Sequence, residues 1–277
     1  MVSLVIPTYN GMKTIENALR SSLVEVEIGE IIVCVNGDSS YFEFCEHLAF
    51  KYGDPRVKVV LHGSKPSSMA ENWTYASHLA NYKYLRILCD DDEVIKGSTS
   101  NLLRILEQSE NYSFVAGKRR VVSEQGSTLI ESLGYSSGNK VFDVEQTLRR
   151  CSLIGTTIFG EPSAMLFRRS DLIECLPWSS EHLYAVDLDM CLRILKCKES
   201  FGVVIENVVS TFQVHPSSLS SNLFRIQSQD FTSLIKEHRE HLGSYPLFWV
   251  VIAKIQSFLR MYARKVLYIV LKNQGIR

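Results

Sequence analysis

The sequence lacks the features that mark several large protein classes. It contains no GxG and no GxxxxGK[ST], which argues against a dinucleotide site of the dehydrogenase type and against a P-loop. Its 30 basic residues are balanced by 30 acidic ones, so the overall charge gives no indication of a nucleic-acid partner. No uncharged apolar stretch reaches the roughly 18 residues that a spanning helix needs. We therefore predict no membrane-spanning segment.

The cysteines show no pattern of a metal or disulfide framework. The seven residues form no CxxC pair and no zinc-like spacing. Because their number is odd and their neighbours are apolar, we expect reduced thiols, mostly in the core, of a cytosolic protein. The first ten residues, MVSLVIPTYN, have no basic region and reach a turn too early for a signal peptide. These features favour a cytoplasmic location.

The first third of the chain alternates strand and helix patterns. At 277 residues and 45% apolar, the chain can bury one sizeable core, or one core plus a smaller appendage. Apolar, partly β-branched runs predict strands at 2–6, 30–35, 57–61 and 84–88, with Pro7 ending the first. Helical spacing predicts helices from Thr14, up to about Lys51, and from Ser67 to Asn81. This alternation predicts an α/β fold with a mostly parallel sheet flanked by helices.

Three consecutive aspartates, Asp90, Asp91 and Asp92, follow the fourth predicted strand. Ligands of parallel sheets bind beyond the carboxyl ends of the strands, and Tyr9–Asn10 and Asn36–Asp38 follow two other predicted strands at that edge. Adjacent carboxylates repel each other unless a cation gathers them. We therefore favour Mg²⁺ or Mn²⁺, bridging carboxylates to a substrate diphosphate, over a solvated loop or an acidic helix start.

Four segments, taken in order and spacing, resemble family 2 glycosyltransferases from residue 2 to about residue 220: SLVIPTYN at 3–10, IIVCVNGD at 31–38, NW at 72–73 and YLRILCDDD at 84–92. The resemblance implies a GT-A fold, a nucleotide-sugar donor (a UDP-sugar above all), a divalent cation and transfer with inversion at the anomeric carbon. It therefore gives the predicted cation site a specific chemistry.

On the family pattern, donor-binding residues follow the first two strands. Pro7, Thr8 and Tyr9 lie against the nucleotide base, and Asn36 contacts uracil or ribose. Val35 replaces an acidic residue that the family carries before Asn36, so one polar contact to the base is missing here.

The aspartates fall into the family's metal motif. Asp90 and Asp92 form its Asp-x-Asp, with Asp91 as a metal ligand in a shifted register, and Asp90 and Asp91 also face the donor. His215, in FQVHPSS, resembles a histidine that faces the metal or diphosphate, and we expect it to be a third ligand.

The resemblance continues in GEPSAMLFRR at 160–169 and in YAVDLDMCLR at 184–193. It implies that Asp187 is the general base, although Val186 stands where the family carries Glu and Asp189 is an alternative. Without the resemblance, both carboxylates would be interpreted as charges that complement a helix dipole. Glu161, Pro162 and Arg193 are weaker candidates for the acceptor side.

Two basic segments remain. Lys118–Arg120 is a candidate for phosphate or acceptor contact, but we favour a solvated basic turn. The last 37 residues contain six Lys/Arg and no acidic residue. From about residue 246 they predict an amphipathic basic helix, with Phe248–Trp249 at its start. Its apolar face, Val251, Ile255, Phe258, Leu259, Tyr262, Val266 and Ile269, would either pack on the domain or lie on an anionic membrane.

We thus expect a GT-A catalytic domain over 1–222 and a helical, basic region over 223–277. The predicted activity is inverting transfer of a sugar to a glycan or lipid-linked glycan acceptor in surface polysaccharide or lipopolysaccharide assembly. Two alternatives stay open: a nucleotidyltransferase of similar topology, and a catalytically inert sugar-binding or scaffold protein. The predicted location is the cytoplasm, with peripheral contact on the inner face of the cell membrane through residues 246–277 as a further alternative.

Overall fold

A ten-stranded sheet forms the centre of the protein. The computed structural model describes residues 1–135, 138–214 and 226–273, with the backbone alone for 266–273. The strands are β1 Val2–Thr8, β2 Ile28–Asn36, β3 Val57–His62, β4 Tyr84–Ile87, β5 Glu93–Val94, β6 Tyr112–Ser123, β7 Thr128–Leu133, β8 Lys140–Phe142, β9 Met165–Arg168 and β10 Phe201–Val214. Their order is β3-β2-β1-β4-β9-β6-β10-β5, with β7 beside β6 and β8 beside β10.

Helices cover the sheet. They are α1 Ile15–Leu23, α2 Ser39–Tyr52, α3 Met69–Leu79, α4 Ser98–Leu106, α5 Val144–Ile154, α6 Arg169–Glu174 and α7 Val186–Lys198, followed by the penultimate helix Gln227–Glu237 and the C-terminal helix Pro246–Asn273. Local signals set several of these boundaries. Asp38 and Ser68 accept backbone N–H groups at the starts of α2 and α3, and Asp143 does so at α5.

The sheet is mostly parallel, as the sequence predicts. β1 pairs in parallel with β2 and with β4, β2 pairs in parallel with β3, and β6 pairs in parallel with β10. The antiparallel strand β9 lies between β4 and β6 and joins the two parallel groups. The prediction of an α/β fold with a mostly parallel sheet, flanking helices and a C-terminal helix is confirmed.

The first strand extends beyond its predicted end. Pro7 does not terminate it: Pro7 pairs with Cys34 and Thr8 pairs with Val35 in the register with β2. The fixed backbone angle of proline is compatible with extended structure, and its cost in a sheet is one missing donor. All seven residues of β1 are buried, and this burial keeps the strand in the sheet.

The C-terminal helices share the core of the rest of the chain. Phe231, Leu234 and Ile235 of the penultimate helix and Ala253 of the C-terminal helix lie in the same apolar cluster as Phe114 of β6. The predicted domain boundary at 222 lies outside the described residues, and this division stays a prediction. Within the described part of the chain, no helix combines the length and apolarity that crossing a bilayer requires.

All seven cysteines are free thiols, and five of them are buried. The expectation that the thiols lie mostly in the core is confirmed.

Candidate functional site

Parallel strands deliver three polar segments to one edge of the sheet. Thr8 ends β1, Asn36 ends β2, and the segment Cys89–Asp92 follows β4 directly. The register of β1 with both neighbours brings these ends together, and Leu88 N–H donates to the Val5 carbonyl at 2.9 Å. The predicted convergence at the carboxyl edge is therefore present.

The three aspartates point to different partners. Thr8 Oγ1 donates to Asp90 Oδ2 in a short hydrogen bond, and it also shares a hydrogen bond with Tyr41 OH at 2.6 Å. On the other side, Gln213 N–H of β10 donates to Asp92 Oδ1 at 3.2 Å. Asp90 is therefore hydrogen-bonded to the end of β1, whereas Asp92 is hydrogen-bonded to β10.

A close approach of Gly11 accompanies the position of Asp90. A Cβ atom at residue 11 would lie 2.4 Å from Asp90 Oδ2, so glycine is the residue that this approach permits. Burial raises the pKa of Asp90 to about 6, with a further contribution from the charge of Asp91, while the hydrogen bond from Thr8 acts in the opposite direction.

Asp91, Asp92 and Cys89 form the group that suits a cation. Ligand atoms of these three residues lie within 4.8 Å of one another. Burial and the charge of Asp91 raise the pKa of Asp92 well above its usual range, and burial raises the pKa of the Cys89 thiol well above its own. A soft thiol is not a ligand that Mg²⁺ or Mn²⁺ prefers, whereas two carboxylates are the donor set that such hard ions take beside substrate phosphates. The residues present fit a divalent cation.

The predicted donor residues differ in their accessibility. Pro7 and Thr8 are buried in β1, whereas Tyr9 is 53% exposed at the strand end. Asn36 is buried, and its amide holds Ser67 from both sides: Asn36 Nδ2 donates to the Ser67 carbonyl at 2.9 Å, and Ser67 N–H donates to Asn36 Oδ1 at 2.8 Å. Asn36 thus fixes the segment that leads into α3.

Asp187, in the first turn of α7, is half-buried beside two charged groups. Burial raises its pKa to about 7; the negative charge of Glu161 adds to the rise, and the Arg119 guanidinium opposes it. Arg119 Nε and Glu161 Oε2 form an ion pair at 2.8 Å. Glu161 also contributes to the raised pKa of Asp92. Asp92 and Asp187 are therefore both within electrostatic reach of Glu161.

The penultimate helix fixes the start of α7. Asp230 Oδ2 accepts the N–H groups of Tyr184 and Ala185 at 2.7 and 3.1 Å, so a side chain from another helix holds the two residues that lead into α7. His182 Nδ1 lies 3.0 Å from Asp230 Oδ1, and that contact raises the pKa of His182 to about 9. The charged His182 thus holds Asp230 in place, and Asp230 in turn fixes the segment that leads to Asp187.

Asp189 has a different environment from Asp187. Arg193 Nε donates to Asp189 Oδ2 at 2.9 Å, one turn along the same helix, and Arg193 Nη1 donates to the Pro177 carbonyl at 2.9 Å. Asp189 and Arg193 together attach α7 to the segment after α6. Their charges are satisfied within this structural contact.

The sequence matches a known family over most of its length. The profile of the family described as "Glycosyltransferase like family 2" matches residues 1–228.

This chain belongs to glycosyltransferase-like family 2.

A curated relative of this glycosyltransferase-like chain is the Escherichia coli protein named UDP-Glc:alpha-D-GlcNAc-diphosphoundecaprenol beta-1,3-glucosyltransferase WfgD. It is 21% identical over 227 residues, which cover 81% of each chain.

Solved structures share the fold. S. aureus TarS 1–349 in complex with UDP-GlcNAc has a TM-score of 0.64 at 13% identity, covering 88% of this chain and 71% of that one. A mannosyltransferase from Pyrobaculum calidifontis, PcManGT, in complex with GDP-Man and Mn²⁺, has a TM-score of 0.62 at 12% identity, covering 92% and 73%. At these identities the likeness shows the GT-A fold alone.

One expectation about this glycosyltransferase-like chain is wrong. Lys118–Arg120 is not a solvated turn but lies inside β6, where Lys118 is buried and pairs with Glu206. The apolar residues on both sides, Val115–Ala116 before and Val121–Val122 after, are the signal that predicts a continuous strand. Arg119, the partner of Glu161, belongs to the segment that was a candidate for phosphate or acceptor contact, and only its interpretation as a solvated turn is overturned.

Other predicted and missed residues can now be located. Glu161 and Pro162 lead into a short 3₁₀ turn, Pro162–Ala164, that approaches the acidic segment. Ser163 Oγ in this turn accepts the Cys89 N–H at 3.0 Å, a contact with no sequence signal of its own. His215, predicted as a metal ligand, lies outside the described residues.

Proposed function

We propose that the protein transfers a sugar, with inversion, from a nucleotide-sugar donor to a glycan or lipid-linked glycan acceptor in surface polysaccharide or lipopolysaccharide assembly. The observation that carries this proposal is that Asp91 and Asp92 place carboxylate oxygens within 4.8 Å of each other, while Asp92 and Asp187 both lie within electrostatic reach of Glu161. Family membership supports sugar transfer. The names of WfgD and of the TarS complex, which mention UDP-sugars and a lipid-linked acceptor, support a UDP-sugar and a lipid-linked acceptor here.

In this proposal Asp187 takes the proton of the acceptor hydroxyl while the acceptor oxygen attacks the anomeric carbon. A new C–O bond forms, and the bond from that carbon to the diphosphate breaks on the opposite face. A pKa of about 7 keeps the carboxylate basic enough to accept a proton near neutral pH and leaves it ionised in about half the molecules there.

The surrounding residues tune this base. The Arg119 guanidinium stabilises the ionised form of Asp187, and the negative charge of Glu161 destabilises that form. Because Arg119 is itself paired with Glu161, its charge offsets part of the effect of Glu161 on the pKa of Asp187. The geometry supports Asp187 over Asp189 as the base, since Asp189 is engaged by Arg193.

Asp91 and Asp92 would hold a divalent cation, and Asp90 would support them through the end of β1. Bound there, Mn²⁺ or Mg²⁺ would offset the negative charge that develops on the departing diphosphate. Tyr9 is exposed beside this edge and offers a ring face to a nucleotide base, while Asn36 keeps the neighbouring segment in place.

A thermal-shift experiment tests the donor site. UDP should stabilise the protein more with Mn²⁺ than with EDTA, by up to about 2.7 kcal/mol at 100 times its dissociation constant. The double variant D91N/D92N should lose the dependence on Mn²⁺. Equal stabilisation by UDP with and without metal would remove the proposed role of the acidic pair.

Donor turnover separates the enzyme from an inert binding or scaffold protein, the alternative suggested by Val35 and Val186 at positions where the family carries acids. Slow release of UDP from a UDP-sugar in the presence of Mn²⁺ supports the enzyme. In D187N, transfer should be abolished while UDP binding is kept. Binding without any turnover of a panel of nucleotide sugars contradicts it.

A further inference from the structure

The C-terminal helix packs through a face that the sequence pattern does not suggest. Ala253 and Ser257 are buried, and Trp249 and Val250 pack against the main core. Ser257 Oγ shares a hydrogen bond with Ser228 Oγ of the penultimate helix at 2.8 Å. In the described part of the chain, these contacts attach the helix to the domain through a face other than its most apolar one.

That apolar face points away from the domain. Six side chains at helical spacing are each between 49% and 56% exposed and form what we name the outer stripe: Phe248, Val251, Ile255, Phe258, Leu259 and Tyr262. Apart from the adjacent pair Phe258 and Leu259, they follow one another at intervals of three and four residues, so they form one continuous band. A contiguous exposed apolar band of this kind marks an interaction surface.

The charges around the stripe indicate its partner. Lys254 lies four residues before Phe258 and Lys265 seven residues after it, so both exposed lysines border the stripe on one side. The last 37 residues carry six basic residues and no acidic one, in a chain whose overall charge is zero. An amphipathic helix with apolar and basic residues together matches the surface of an anionic bilayer.

A second copy of the chain fits this surface poorly. In a pair joined through the outer stripe, the flanking lysines of both copies would meet across an interface to which this segment contributes no carboxylate. Like charges at such an interface oppose association. We propose that the outer stripe docks this protein on an anionic lipid surface, lying in the interface without crossing it.

Docking of the C-terminal helix on lipid would also fix the orientation of the candidate site relative to the bilayer. Arg260 Nε donates to the Ile154 carbonyl at 2.9 Å, and Arg264 Nη1 donates to Tyr184 OH, three residues before Asp187. The start of α7 is thus held against the inner side of a helix whose outer side meets lipid.

Sedimentation of the full chain with vesicles tests this inference without any sugar transfer. Binding should be stronger to phosphatidylcholine vesicles containing about a third phosphatidylglycerol than to pure phosphatidylcholine, and it should weaken at about 0.5 M salt. F258S/L259S should lower the partition coefficient about tenfold or more. F50S is the matched control, because Phe50 is an exposed aromatic residue on α2, and it should leave binding unchanged.

Charge reversal provides the second arm. K254E/K265E should weaken binding to anionic vesicles about 25-fold or more at low salt, whereas R20E/R104E, which makes the same change in net charge on α1 and α4, should have little effect. Melting temperatures within a degree or two of wild type (about the effect of a surface substitution) establish that the variants are folded.

Three results would overturn the inference. The first is equal binding of the protein to neutral and anionic vesicles. The second is an equal loss of vesicle binding in F258S/L259S and in F50S. The third is a dimer in solution that F258S/L259S converts to monomer while vesicles bind none of the proteins; this result would assign the stripe to a second copy. UDP binding, measured in parallel, keeps failure of this inference distinct from failure of the proposed function.

Discussion

Asp187 and Asp189 lie two residues apart on α7, and replacing each with asparagine should change stability in opposite directions. Burial and Glu161 raise the pKa of Asp187 from 3.8 to about 7. Between these values the folded protein binds a proton that the unfolded chain has released, so this carboxyl lowers stability as pH rises from about 4 to about 7. The amide of the D187N variant does not titrate, so its stability would not fall with rising pH for this reason.

The size of the effect follows from the pKa. A rise from 3.8 to about 7 corresponds to about 4 kcal/mol when the group is ionised. Asp187 is half-buried, and solvent screening reduces this to about 2 kcal/mol. D187N should therefore be about 2 kcal/mol more stable than wild type at pH 8 and no more stable at pH 4. D189N should be about 3 kcal/mol less stable, because Arg193 loses its partner.

Urea unfolding in EDTA, at pH 4 and pH 8, measures these differences. At pH 8, D187N should also lose transfer by a factor of about 100 or more while keeping its affinity for UDP, as a base that acts on the acceptor requires. D189N, assayed where it is folded, should retain transfer. If D187N is destabilised or unchanged at pH 8, the carboxyl is not desolvated as described, and the argument for its tuned pKa fails.

Two further changes test neighbouring features. R119Q removes the charge that opposes the raised pKa of Asp187, so the acid limb of the pH–rate profile should move to higher pH; an unchanged profile would mean that Arg119 does not act on the base. G37A should destabilise the protein by about 3 kcal/mol in urea, because a Cβ there would lie 2.2 Å from the Lys65 backbone at a φ of +68°. G97A, with a similar φ of +76° and open space around it, should cost about 1 kcal/mol, and equal losses would contradict the steric argument.

The sequence predicts the first four strands and three helices because each is a local pattern. Apolar, partly β-branched runs bury strands such as β1 and β2 on both faces, and capping residues such as Asp38 and Ser68 mark where helices begin. The alternation of strand and helix then leaves a parallel sheet as the simplest arrangement. The family resemblance supplies the GT-A fold.

The site was harder to predict, because its contacts join residues far apart in the chain. The triplet of aspartates identifies an acidic edge, but the division of Asp90 from Asp91 and Asp92 depends on Thr8, Gly11 and β10. Three adjacent basic residues suggested a solvated turn, since the acidic partners that make Arg119 and Lys118 acceptable in a strand lie elsewhere in the sequence.

The C-terminal helix shows the same limit. A helical wheel groups apolar residues of this helix on one face, of which Val266 and Ile269 lie outside the described side chains, and it leaves packing and lipid contact as alternatives. It cannot show that Arg260 and Arg264 face the domain, because their acceptors, the Ile154 carbonyl and the Tyr184 hydroxyl, have no signature in the sequence. The helix both packs on the domain and leaves its apolar face exposed.

The antiparallel strand β9 has a consequence for how the protein folds. It pairs Leu85 of β4 with Phe167, and the same Phe167 with Phe114 of β6. Strands β1 to β4 form from neighbouring segments, but the sheet closes only after residue 168 has left the ribosome. Contacts of such long sequence separation slow folding. A nascent chain that ends before β9 therefore exposes two unpaired strand edges, which favour aggregation and chaperone binding during synthesis.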